Sequence, residues 1–183
     1  EAGIPLELEK VDLGSKRTAT GEDYLEVNPK GYVPALRLDD GSVLTEVSAL
    51  VQYLADRAPG TGLIPPAGSM ERYRVLEWIG YVSTEIHKGF GPLWNAKLAP
   101  EARAAAVAAL AHRLDLLEKT LASRPFLAGD GFTVADAYLF AVASWAPWVK
   151  LDMAPWPKLR DFVARVAARP KVQEALVAEG LVE

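Results

Sequence analysis

A cluster of prolines and glycines near residue 60 constrains the fold more than any other feature of this sequence. The cluster consists of Pro59, Gly60, Gly62, Pro65 and Pro66. Proline removes a backbone donor and glycine loses much entropy on folding, so no helix or strand is expected to cross it. Short alternating segments precede the cluster, and helical spacing follows it. The sequence therefore predicts an α+β protein, with a mixed domain over residues 1–59 and an all-helical domain over residues 67–183.

The first domain is predicted to contain three strands and a helix. Apolar and polar residues alternate over Leu6–Leu13, and the strands Ala35–Leu38 and Val43–Thr45 flank the turn Asp39–Ser42. Helical spacing returns over Val47–Ala55. One strand and one hairpin make a small sheet. We therefore expect a further strand and part of a helix, on the order of twenty residues, to precede the first residue.

The second domain is predicted to be helical almost throughout. Helices are expected over Met70–Trp94 and Pro100–Leu121, with three more beginning at Thr133, Pro157 and Pro170. The alanines of the second of these helices are good helix formers and need no other role.

The helix that begins at Met70 has two different faces. Its apolar face carries Val75, Ile79, Val82, Ile86 and Leu93, which we expect in the core. Its other face carries Gly80, Ser83, Thr84, His87 and Gly91. These small or polar side chains suit the wall of a cleft. A lone histidine is more often structural than functional, as we expect for His112, but the position of His87 on this face favours a function.

Composition argues against several classes of function. The formal net charge is -4 and the charged residues are interspersed, so neither a nucleic-acid groove nor a polybasic membrane surface is expected. No apolar run reaches the roughly 20 residues of a membrane helix, and the opening residues do not resemble a signal peptide. The chain has no cysteine, so disulfides and thiolate metal sites are ruled out. We expect no metal, and a cytoplasmic location.

The segment Asn28–Pro34 lies just before a predicted strand. An X-Pro bond at the entrance of a strand can be cis, which turns the preceding backbone outward. Val33 would then offer its N–H and C=O to an extended peptide, as in strand addition. The alternative is an ordinary tight turn.

Glu46 lies where the second strand of the hairpin gives way to a helix. A carboxylate there suits a ligand ammonium, and the free N–H groups at the helix start suit a ligand carboxylate. Together these groups would hold an amino-acid head group. The alternative is that Glu46 and Ser48 only cap the helix.

Thr133 and Asp136 have the spacing of a capping box at the start of a buried helix. We assign this pair a structural role and no catalytic one.

Taken in order, these motifs resemble a known family. The Asn28–Pro34 segment, the hairpin and Glu46 resemble the glutathione site of glutathione transferases, and Phe126–Asp136 resembles their folding motif. Glu85–Phe90, Tyr138–Phe140 and Trp145–Leu151 resemble the bacterial beta class. The resemblance spans essentially the whole chain. It implies a thioredoxin-like first domain, incomplete at its start, followed by the helical domain of this family.

The resemblance also implies how glutathione, the co-substrate, is bound. The backbone of Val33, held outward by Pro34, would pair with the cysteinyl unit. Glu46 would bind the γ-glutamyl ammonium, and the backbone of Val47 its carboxylate. Lys16 would meet the glycyl carboxylate, the alternative being a solvated charge.

The chemical task in this family is to stabilise the thiolate, which is the nucleophile. By resemblance, His87 would act as a donor beside the thiol, helped by Lys88, and Trp145 would wall a pocket for a small hydrophobic electrophile. For Lys88 too the alternative is a solvated charge. The catalytic cysteine of the beta class, and the tyrosine or serine of other classes, would lie in the expected preceding segment. Val47 replaces a serine and Gly80 an asparagine of relatives, so a lowered glutathione affinity is expected.

Two functions from different classes follow. The first is an enzyme of detoxification that conjugates glutathione to electrophiles, or transfers thiols if the expected preceding strand ends in cysteine. The second is a non-catalytic module of the same fold, used for binding or assembly. The presence of Pro34, Glu46 and His87 favours the enzyme. The family also implies a homodimer.

Overall fold

A computed structural model describes residues 1–182. The chain divides into two compact units, one of residues 2–58 and one of residues 59 onward together with Glu1. The first mixes short strands with helices, and the second is helical. The predicted α+β fold class is therefore confirmed.

The first unit contains two short hairpins and two helices. Its elements are β1 (Val11–Asp12), β2 (Arg17–Thr18), α1 (Tyr24–Val27), β3 (Ala35–Arg37), β4 (Val43–Thr45) and α2 (Val47–Asp56). Strands β1 and β2 pair antiparallel, as do β3 and β4. The second hairpin aligns Leu36 with Leu44. This confirms the predicted hairpin and the helix that follows it.

The predicted strand Leu6–Leu13 is wrong over most of its length. Only Val11–Asp12 forms a strand, and its partner is the short β2. Leu6 and Leu8 are exposed. A strand needs a ladder of hydrogen bonds to a neighbour, and no other strand among residues 1–182 pairs with this segment.

The second unit packs its helices around a continuous apolar core. They are α3 (Met70–Tyr81), α4 (Lys88–Phe90), α5 (Pro100–Ser123), α6 (Val134–Ala143), α7 (Pro157–Ala167) and α8 (Pro170–Ala178). The largest fully buried side chains of this core include Phe90, Leu110, Leu139 and Phe162. Across residues 1–182, no helix has both the length and the apolar character needed to cross a bilayer.

The segment Met70–Trp94 is helical but not one uniform helix as predicted. A π-helical turn, Val82–His87, separates α3 from α4, and a 3₁₀ turn, Gly91–Trp94, ends the segment. The hydroxyl of Thr84 donates to the carbonyl of Gly80 at 3.1 Å, which diverts an acceptor of the regular α-helical ladder. Pro92 cannot donate to a helical carbonyl. These two features give a local reason for each irregular turn.

The two faces predicted for this segment are confirmed. The five apolar residues from Val75 to Leu93 are all buried. Gly80, Thr84 and Gly91 on the other face are exposed, and His87 is half-buried. The polar face is therefore not part of the core.

The capping box predicted at the start of α6 is confirmed. Asp136 is completely buried, and one of its carboxylate oxygens accepts from both the N–H and the hydroxyl of Thr133, at 2.8 Å each. The other oxygen accepts from the N–H of Leu127 at 2.8 Å. One buried carboxylate thus fixes both the start of α6 and the loop before it.

We expect Asp136→Asn to lower the free energy of unfolding by about 2 kcal/mol, because an amide nitrogen would leave a buried N–H donor without an acceptor. Urea unfolding followed by tryptophan fluorescence measures the change. Asp130→Asn, at an exposed position of the same loop, is the control and should stay within about 0.5 kcal/mol of the wild type. Equal effects of the two substitutions would contradict the structural role of Asp136.

Candidate functional site

The loop before β3 presents a backbone edge to solvent. The Val33–Pro34 peptide bond is cis, and Val33 is 46% exposed. Within residues 1–182, neither the N–H nor the C=O of Val33 has a hydrogen-bond partner. An exposed donor and acceptor on one residue can pair with an extended peptide.

Buried side chains hold this loop in place. The hydroxyl of Tyr24 and the side-chain amide of Asn28 both donate to the carbonyl of Tyr32 at 2.7 Å. Tyr24 and Asn28 are each 3% exposed. The ammonium of Lys16 donates to the carbonyl of Gly31 at 2.9 Å, so Lys16 supports the loop rather than extending into solvent. The supporting role of Tyr24 was missed, because nothing in its local pattern points to a residue eight positions later.

Glu46 precedes α2 with an unusual backbone conformation. Its φ of 71° and ψ of 117° lie in a region that L-residues adopt rarely and at a cost of about 1–3 kcal/mol. Its side chain makes no capping hydrogen bond to the helix, which speaks against the simple capping alternative. The carboxylate pairs instead with Lys30 at 2.6 Å. Lys30 was not predicted as the partner of Glu46, since the two residues lie sixteen positions apart.

The first turn of α2 leaves backbone donors available. The carbonyl of Glu46 accepts from the N–H groups of Ala49 and Leu50, at 2.9 Å each. The N–H groups of Val47 and Ser48 have no partner in the part of the chain that the structure describes. Such donors, with the positive end of the helix dipole, favour a bound anion. The Glu46 carboxylate is therefore adjacent to a helix start that carries two unpartnered N–H donors.

In the second unit, His87 ends the π-helical turn and packs against two aromatic side chains. Its Nδ1 lies 2.8 Å from the hydroxyl of Tyr138 on α6. Trp145 meets the imidazole edge to face, with ring centroids 4.8 Å apart. Burial, and secondarily the positive charge of Lys88, lower the pKa of His87 below its ordinary value. Because the ordinary value of about 6.5 already lies below 7, a lowered pKa makes the neutral imidazole the main form at pH 7.

Trp145 belongs to a partly open aromatic cluster. Its ring also contacts Phe90 and Trp94, with centroids 6.0 and 5.7 Å apart. Phe90 is buried, whereas Trp94 is 51% exposed. The cluster thus offers an apolar surface to solvent beside His87. Trp94 was missed as a site residue, since its ring contact depends on the 3₁₀ turn that ends the segment.

Lys88 lies apart from this cluster. It lines a cavity of about 190 Å³ with Gly89 and, from α5, Ala106 and Leu110. Its effect on His87 is therefore electrostatic, through the lowered imidazole pKa.

The lowered pKa of His87 predicts a pH dependence of stability. In the unfolded chain the imidazole titrates near pH 6.5, whereas in the folded protein it titrates lower. Below about pH 6.5 the unfolded state therefore binds the proton more readily, and the free energy of unfolding falls as the pH falls. At higher pH the histidine is neutral in both states and contributes no pH dependence.

Urea unfolding at pH 7.5 and pH 5.0 tests this for the wild type and His87→Gln. We expect the wild type to lose more stability than the variant between the two pH values. His112→Gln removes the other histidine of the chain and should retain the wild-type loss. Identical losses in wild type and His87→Gln would refute the lowered pKa.

Comparison with known proteins places this chain in a family. A model described as glutathione S-transferase, N-terminal domain, matches residues 1–57. A model described as glutathione S-transferase, C-terminal domain, matches residues 81–170. The two matches cover parts of both structural units.

Individual relatives agree over nearly the whole chain. The glutathione S-transferase GstA of Escherichia coli O157:H7 is 46% identical over 181 residues, which are 99% of this chain and 90% of that protein. A sphingomonad glutathione S-transferase complexed with glutathione has a TM-score of 0.94 and 45% identity, covering 99% of this chain and 90% of its own. The bacterial beta-class enzyme of Sphingomonas chungbukensis has a TM-score of 0.94 and 42% identity, with the same coverage. The chain therefore belongs to the glutathione S-transferase family, and its structural relatives include the bacterial beta class that its motifs predicted.

Proposed function

We propose that this glutathione transferase binds glutathione through the first unit, with Glu46 as the ammonium partner. The proposal rests on the Glu46 carboxylate lying next to the unpaired N–H groups of Val47 and Ser48. An α-amino acid carries an ammonium and a carboxylate on one carbon, which matches this pair of opposite partners. The sphingomonad relative, 45% identical, was solved with glutathione bound. The γ-glutamyl end of glutathione supplies such a head group.

The ion pair between Glu46 and Lys30 does not prevent this binding. Both side chains are at least half exposed, and an exposed ion pair contributes about 0–1 kcal/mol. A ligand ammonium that also gains the α2 donors can therefore displace Lys30 at little cost.

The remaining peptide of glutathione would use the loop before β3. We assign the cysteinyl backbone to the exposed N–H and C=O of Val33, whose orientation is set by the bond to Pro34. An ammonium has three donors, so the bond of Lys16 to Gly31 leaves it able to meet the glycyl carboxylate.

The reaction requires a thiolate at a pH where a free thiol, with a pKa of about 8.5, is mostly protonated. We propose that neutral His87 donates a hydrogen bond to the sulfur and that Lys88 adds positive potential. The thiol proton passes to solvent. With an aryl halide, the sulfur forms a bond to the ring carbon and the carbon–halogen bond breaks, releasing halide. Trp145 and Trp94 would hold the hydrophobic electrophile.

We also propose a homodimer that acts in the cytoplasm, with detoxification of electrophiles as its role. Support comes from membership of the glutathione S-transferase family.

Calorimetric titration of glutathione into the wild type, Glu46→Gln and Lys30→Gln tests the proposed site. We expect saturable binding by the wild type and a dissociation constant about tenfold to a hundredfold weaker for Glu46→Gln, because a charge-assisted bond is lost. Lys30→Gln should change the constant by less than about fivefold.

Turnover of an activated aryl halide by the same three proteins distinguishes the enzyme from the binding module. Glu46→Gln should raise the KM for glutathione with little effect on kcat, since it removes uniform binding. A folded wild type that shows neither binding heat nor turnover would contradict the proposed function and favour the non-catalytic alternative.

A further inference from the structure

Tyr138 is a buried hydroxyl with a defined position. It lies on α6 and is 5% exposed, and its oxygen is 2.8 Å from Nδ1 of His87. It follows Asp136 by two residues on α6, the helix whose start the buried carboxylate fixes. The distance is that of a good hydrogen bond.

The chemistry of the two groups decides which of them donates. Neutral imidazole has one N–H donor and one acceptor nitrogen, and the partner of one nitrogen determines which tautomer is present. A phenol O–H is a stronger acid than an imidazole N–H, and an imidazole nitrogen is a stronger base than a phenol oxygen. The favoured arrangement therefore has Tyr138 donating to Nδ1 of His87.

That direction fixes the proton on the far side of the ring. When Nδ1 accepts, the proton of neutral His87 must reside on Nε2. The Trp145 ring packs edge to face against the imidazole, with ring centroids 4.8 Å apart. This packing restricts rotation of the imidazole. Burial disfavours the imidazolium and so favours the neutral ring. Only the neutral ring has two tautomers, because both nitrogens of the imidazolium carry a proton.

We propose that Tyr138 is a positioning residue that holds His87 as the Nε2–H tautomer, so that Nε2 serves as the donor for the glutathione sulfur. This inference rests on the proposed function for its catalytic consequence and on the geometry of the second unit for the tautomer. Without the hydroxyl, Nδ1 loses its donor and the two tautomers become close in energy. Part of the protein would then present a bare acceptor nitrogen to a thiolate, which repels it.

Nitrogen-15 NMR of the histidine rings at pH 7.5 tests the tautomer directly. In the wild type we expect His87 to show a protonated Nε2 and an Nδ1 with the shift of an unprotonated nitrogen. The spectrum of His112→Gln identifies the His87 signals. In Tyr138→Phe we expect both nitrogens to shift toward intermediate values, as two exchanging tautomers require.

Steady-state kinetics test the consequence. We expect Tyr138→Phe to lower kcat roughly tenfold, as loss of an orienting partner commonly does, with a KM for glutathione within about twofold of the wild type. Tyr81→Phe is the matched control, because it removes another helix hydroxyl of the same unit, one that donates to the carbonyl of Arg113. It should leave both the NMR shifts of His87 and kcat unchanged.

A wild-type His87 protonated on Nδ1 would overturn the inference, whether or not Tyr138→Phe folds. So would Tyr138→Phe with wild-type ring shifts and wild-type kcat. Calorimetry tests the proposed function separately, because a wild type that binds no glutathione contradicts that function. The ring shifts of His87 test the tautomer without glutathione.

Discussion

The buried carboxylate of Asp136 is the interaction on which the helical unit depends. A carboxylate with no exposure to water is costly unless all of its acceptor capacity is used, and here the two N–H groups and one hydroxyl that it accepts from satisfy both oxygens. Because these donors come from the loop residue Leu127 and the helix cap Thr133, the loop and α6 cannot shift independently. Tyr138, whose hydroxyl lies 2.8 Å from Nδ1 of His87, is on the same helix two residues after Asp136.

The two units contribute groups of different character. In the first unit the candidate ligand contacts are exposed, and the pair between Glu46 and Lys30 contributes little stability. Exposed charges of this kind exchange partners easily, which suits the binding and release of a peptide. In the second unit His87 is held by a hydrogen bond and by ring contacts. A fixed donor suits stabilisation of a developing or existing charge, since it needs no reorganisation during reaction.

Most of the architecture could be predicted from local sequence. Turn residues predicted the second hairpin, and helix spacing with proline positions predicted the starts of α5, α7 and α8. The strand Leu6–Leu13 was predicted wrongly. Alternation of apolar and polar residues shows only that one face of a strand could be buried, whereas a strand also needs hydrogen bonds to a neighbouring strand. The π-helical turn escaped prediction because the spacing of apolar residues indicates a helix but does not distinguish a π turn from the regular α-helix around it.

Residues of the candidate site could be predicted only where the signal lies within one short segment of sequence. Glu46 stood out because it begins a helix, and His87 because it lies on a face without large apolar residues. Their partners Lys30 and Tyr138 lie sixteen and fifty-one positions away, so only tertiary packing shows them. Tyr138 entered the sequence analysis only within the segment Tyr138–Phe140 that resembles the bacterial beta class, and that resemblance did not indicate its contact with His87.

The central claim, that His87 stabilises the glutathione thiolate, is tested most directly by titrating the thiol of bound glutathione. Ultraviolet absorbance of the thiolate, followed against pH in saturated wild type and His87→Gln, gives the thiol pKa in each complex. We predict a pKa below the ordinary value of about 8.5 in the wild type and a higher one in the variant. Equal thiol pKa values in the two complexes would contradict the assigned role of His87.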